Sequence, residues 1–244
     1  MRENLDTDSP KVDLGRGLEI RLELSQDLDP DPHDWSLEGW HVSAVVPDLD
    51  FDAVCCREAE DEPHVCEPAL RIDEHGVAFK TLTEVTVFRC QLGNPALAGH
   101  LDDEAAYFEW VAAEMLGDGG WLRNDVPLLR RSDATSLLIV HSITPGEGRA
   151  EDVLGRLIAN EAVTRLARSD DMAVFVASPE CSDEGDLVRP IVRRMQAAWE
   201  EAGWTSLAEN LLIADLSRED TWAGFKRLRA EFGLGPQRDG GWRG

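Results

Sequence analysis

The chain has 244 residues and a mass of 27.1 kDa, enough for one large domain or two small ones around a sizeable core. Acidic residues outnumber basic ones 48 to 24, giving a formal charge of -24 and a pI near 4.5. That field repels phosphate backbones and anionic lipid, and so argues against nucleic-acid and membrane-surface partners. A composition of 43% hydrophobic and 30% charged residues argues against a disordered acidic tail. No apolar run approaches the roughly 20 residues that a spanning helix requires, and Met1 to Pro10 holds no apolar signal-peptide core. The five cysteines, Cys55, Cys56, Cys66, Cys90 and Cys181, are odd in number and too sparse for a disulfide scaffold. These features together lead us to expect a cytoplasmic protein.

Acid is concentrated early, with 21 Asp and Glu against 6 Lys and Arg in residues 1–75. Residues 1–16 lack apolar periodicity and are expected to form a flexible acidic tail. Leu18, Ile20, Leu22 and Leu24 then alternate with Glu19, Arg21 and Glu23, the period of a half-buried strand. Residues 27–34, with two prolines and four aspartates, form a loop. Trp40 to Val46 predicts a second strand, stopped by Pro47. Residues 48–74 are the least legible, mixing a short helix with the acidic run 58–63. Val77 to Leu92 predicts a long strand ended by Gly93-Asn-Pro95.

Leu101 to Leu116 predicts a helix, with Asp102, Asp103 and Glu104 favouring its positive end and Phe108, Val111, Ala112 and Met115 at helical spacing. Ser136 to Ile143 is nearly continuously apolar, as in a strand buried on both faces. A turn containing Pro145, Gly146 and Gly148 leads into a helix over 150–168. A buried strand at 172–177, a helix at 187–202 stopped by Gly203-Trp204, a strand at 211–216 and a helix at 218–232 follow. This alternation predicts an α/β unit with a parallel core pair.

The order of elements, together with Leu137-Leu-Ile-Val-His-Ser-Ile-Thr-Pro145, Arg149, Gly155, Val174-Phe-Val-Ala-Ser-Pro179 and Ala198-Trp-Glu-Glu-Ala-Gly-Trp204, resembles the GNAT N-acetyltransferases. The likeness covers about a third of the chain, Leu137 to Leu216, and extends more loosely back to Val77. It implies one GNAT-like domain over 17–244, with a central mixed sheet flanked by helices. Within it, 17–131 would supply N-terminal strands and helices, 132–218 the cofactor half, and 219–244 a closing helix and tail. The implied activity is acyl transfer from acetyl-CoA to an amine. In the family, a turn wraps the CoA pyrophosphate at a helix N-terminus. Here Gly146, Gly148, Arg149, Gly155, Arg156 and Ser178 would shape that site, with Ile143 and Pro145 flanking the pantetheine. Asp152 and Leu154 stand where the family has small residues, and Gly155 comes one position late. Glu147, Glu151 and Asp152 crowd the turn with carboxylates, which would equally well complement a helix dipole.

His141 has the reference pKa of a general base near neutrality, and Glu84 is a second candidate. A core-strand histidine and a solvated strand-face carboxylate are the structural readings of the same two residues. Family members often use a tyrosine on the helix before the final strand as general acid. The only tyrosine here, Tyr107, lies in an earlier helix. The acidic balance would favour a cationic small molecule or a basic protein as acceptor. The competing expectation is a GNAT-fold binding or regulatory protein that has lost the cofactor turn and its activity. Cys55, Cys56, His64 and Cys66 form a zinc-capable group without finger spacing, so no metal site is assigned. Arg189, Arg193 and Arg194 line one predicted helix, either facing phosphate or pairing with local acids.

Overall fold

The computed structural model describes residues 19–25, 38–47, 70–72, 78–104, 106–130, 132–145, 151–168, 170–177, 185–208 and 210–234. The expected tail 1–16, the loop at 27–34, the cysteine group at 55–66 and the turn at 146–150 lie outside these residues. The strands are β1 (Glu19–Ser25), β2 (Glu38–Pro47), β3 (Leu70–Ile72), β4 (Ala78–Gln91), β5 (Ser136–Pro145), β6 (Asp171–Val176), β7 (Thr205–Ala208) and β8 (Leu211–Asp215). The helices are α1 (Leu97–Glu104), α2 (Ala106–Met115), α3 (Glu151–Leu166), α4 (Gly185–Glu201) and α5 (Glu219–Glu231).

Seven strands form one open mixed sheet in the order β1-β2-β4-β5-β6-β8-β7, and β3 pairs with the start of β4. Every pairing is antiparallel except β5 with β6. That parallel pair is joined through α3, the strand–helix–strand unit expected from the apolar runs. Where one helix over 101–116 was expected, helix is described over Leu97–Glu104 and Ala106–Met115, so it begins four residues earlier. The entry is set by Asn94, whose side-chain oxygen accepts the Ala96 N–H and whose carbonyl accepts the Leu97 N–H.

Alternation along the central strands sends side chains to two cores. Val85, Val87, Leu138, Val140, Ala173, Phe175, Leu212 and Ala214 pack beneath α3, α4 and α5. Leu137, Ile139, Met172, Val174, Val176, Leu211 and Ile213 face α1 and α2. The strands buried on both faces are therefore those whose sequences run continuously apolar. Two close approaches seat the helices. Gly203, at φ +101, follows α4, and a Cβ on Gly224 of α5 would stand 2.3 Å from its Cα. Asn160 of α3 accepts the Trp204 indole N–H at 2.8 Å and donates to the Ala202 carbonyl at 3.3 Å. Phe175, Trp199, Trp204 and Phe225 fill the space between.

At the base of the parallel pair, Arg89 of β4 meets Asp171 of β6 at 3.1 Å. Arg89 also donates to the Leu166 carbonyl at the end of α3. Asp171 accepts the Arg168 N–H at 2.7 Å and the Ser136 hydroxyl. This network ties α3 to the starts of β5 and β6. Among the described residues, no helix is long and apolar enough to cross a membrane.

Candidate functional site

The sheet changes character in the middle of β5. Its parallel pairing with β6 runs from Ser136 opposite Asp171 to Val140 opposite Phe175 and ends there. β5 itself continues for five more residues, paired among the described residues with β4 alone, with Thr86 opposite Ser142 and Thr83 opposite Pro145. The two central strands thus part at Val140, at the C-terminal end of the parallel pair. Crevices at such ends are where open α/β sheets place ligands.

A β-bulge lies at the same point. Val87 pairs with Val140 and Thr86 with Ser142, so His141 is the extra residue on β5. One extra residue inverts the alternation beyond it. Ile143, three positions after Val140, again faces the core under α3, where a Cβ on Gly155 would stand 2.7 Å from Ile143 Cγ2. Gly155 thus allows the start of α3 to lie against β5. Two residues expected at the cofactor turn, Ile143 and Gly155, are brought into contact.

On the opposite face, the His141 ring is half-buried among aromatics. It stacks on Phe108 at 5.3 Å and meets Tyr107 and Phe88 edge-on at 5.0 and 5.6 Å. Burial holds its pKa below the usual imidazole range, so the ring is neutral and able to accept a proton near pH 7. Glu84 stands opposite Thr144 and shares the face of Thr86 and Phe88. It lies about two residues, or roughly 7 Å, along the strand direction from His141, and one strand over. Thr86 bonds the His41 ring at 3.3 Å, and Ser43 lies opposite Glu84 on β2. Both catalytic candidates therefore occupy one polar stretch of the sheet, bordered by α2.

The sequence assigns Tyr107 no role, because its helix precedes the expected cofactor half. Its hydroxyl reaches the parting point itself, donating to the Val140 carbonyl at 2.5 Å and accepting the Val176 N–H at 3.1 Å. Burial raises its pKa well above the usual phenol value. That favours the neutral, donating form and leaves no easily released proton. Its being the only tyrosine was the available signal, and helical spacing alone could not reveal which strand it would reach.

Arg156 lies half-buried on α3, and Arg193 and Arg194 are exposed on α4. Gly146, Gly148, Arg149 and Ser178 lie outside the described residues. Among the described residues, no group of three or more His, Cys, Asp and Glu side chains could hold a metal ion. Comparison with family models, curated proteins and solved structures returns no match.

Proposed function

We propose that the protein is a GNAT-like N-acyltransferase that moves an acyl group from acetyl-CoA to a cationic amine. The observation that carries this reading is the parting of β5 from β6 after Val140, with a bulge at His141 and five further residues of β5 paired, among the described residues, on one side only. An open backbone edge beside a bulge suits a thioester laid along the strand.

Acetyl-CoA, when bound, would supply an activated acyl carbon; an amino group of the acceptor, in its neutral form, would form the new C–N bond as the C–S bond breaks and CoA leaves as the thiolate. Neutral His141 takes the proton released by the attacking nitrogen. Glu84, two strand positions away on the same face, attracts the cationic acceptor and holds it beside the bulge. The net charge of -24 raises the local concentration of such acceptors. Backbone groups of β5 orient the carbonyl, and Ile143 packs beneath them.

Calorimetry with acetyl-CoA at moderate salt tests the reading. Micromolar binding, weakened by Arg149→Glu, is the expected result. Absence of both heat and thermal shift at millimolar ligand would overturn it.

One observation favours a second reading, a GNAT-fold binding protein without activity. The only tyrosine has its hydroxyl committed to two backbone groups and its pKa raised, so it is a poor acid toward a leaving thiolate. Absence of acetyl-CoA binding, together with recovery in a pull-down of a basic partner that is lost at high salt, would establish that reading over the first.

A further inference from the structure

We propose that Tyr107 is the positioning residue that sets where β5 and β6 part. This deepens the acyltransferase reading, on which it rests for the identity of the ligand, the acyl-pantetheine arm. The rungs of the parallel pair run as far as Val140 and Phe175. Ala177 donates its N–H away from β5, to the Asn210 carbonyl beside β8, so the N–H of the preceding Val176 points toward β5. The last rung, that of the Val140–Phe175 pair, would therefore join Val176 N–H to Val140 C=O. The Tyr107 oxygen stands between them instead, accepting from one and donating to the other at 3.1 and 2.5 Å. A ladder would bring these groups to about 2.9 Å of each other; the hydroxyl keeps them one oxygen apart.

The wedge is firmly seated. Tyr107 is buried in the first turn of α2, with its ring edge-on to Phe108 at 5.5 Å and to His141 at 5.0 Å. One side chain thus fixes the end of the ladder and supports the ring at the bulge. Without the hydroxyl, two buried backbone groups lose their partner, and the nearest remedy is for each to take the other. The last rung of the parallel pair then closes directly at the Val140 carbonyl, next to His141. The edge that would receive the acyl arm is shortened at its reactive end.

The test compares the full chain with Tyr107→Phe, and uses Val111→Ala as a control that loosens α2 without touching the rung. In the wild type, NMR should detect an exchange-protected Tyr107 hydroxyl proton close to the Val176 amide. In Tyr107→Phe, a through-hydrogen-bond coupling between Val176 N and Val140 C′ should appear, and the Kd for acetyl-CoA should rise tenfold or more. Val111→Ala should show neither change. The wedge is overturned if the hydroxyl proton is not protected, if the new coupling does not form, or if Tyr107→Phe binds acetyl-CoA as the wild type does. If the wild type itself does not bind acetyl-CoA, the acyltransferase reading fails, while the hydroxyl proton and the coupling still decide the wedge.

Discussion

The guanidinium of Arg89 lies 3.1 Å from Oδ2 of Asp171, with side-chain exposures of 9% and 0%, where β4, β6 and the end of α3 converge. Removing one partner of such a pair strands the other charge in the interior, which costs about 3–5 kcal/mol. Asp171→Ala should lose that much in urea unfolding, because the Arg168 N–H and the Ser136 hydroxyl lose their acceptor as well. Arg218→Ala breaks a pair with Asp220 whose side chains are 53% and 91% exposed, and should change stability by less than about 1 kcal/mol. Equal losses from the two variants would contradict the assigned role of the buried pair.

His141 gives the pH dependence a definite sign. Burial lowers its pKa in the folded chain below the unfolded value of 6.5, so the unfolded chain binds more protons between those two values. Its contribution therefore destabilises the fold as pH falls below about 6.5 and disappears above it. His141→Gln should flatten the stability-against-pH curve in that acidic window and leave neutral pH less affected. Differential unfolding of both proteins across that range checks the sign.

Gly155 separates packing from ligand binding. Gly155→Ala gains up to about 1 kcal/mol of helix propensity, yet its new methyl would stand 2.7 Å from Cγ2 of a stiff, β-branched Ile143. Overpacking of this kind costs about 1–3 kcal/mol, so a net loss of stability is expected. In an Ile143→Ala background the clashing methyl is gone, and the same substitution should become neutral or stabilising. A double-mutant cycle without coupling between the two positions would assign Gly155 a different role.

Cys90 is a core thiol in contact with the α1–α2 layer, and burial pushes its pKa up to about 12. Thiolate is the reactive form, so iodoacetamide at pH 8 should leave Cys90 unmodified in the folded protein. Site-resolved mass spectrometry should find it alkylated only after denaturation.

Much of the architecture was readable because burial on both faces leaves a plain mark in sequence. The apolar runs of β5, β6 and β8 name the same core that the fold displays. β3 and β7, three and four residues long, are too short for periodicity to register. The start of α1, ahead of Leu101, leaves little mark because the turn at Asn94 opens it with few apolar residues. The site was harder to read. A bulge adds no distinctive residue, so Leu138 to Ile143 looks like one unbroken strand although the facing of its side chains inverts at His141. Tyr107 is joined to Val140 across 33 positions, and no local pattern encodes that link.

Tyr107 is the chain's single phenol, set against eight indoles. Its raised pKa means that strong alkali can form tyrosinate only when that one rung gives way. The near-ultraviolet rise after an alkaline jump would then time the separation of α2 from the sheet. The protein carries its own clock for that event, with no introduced dye.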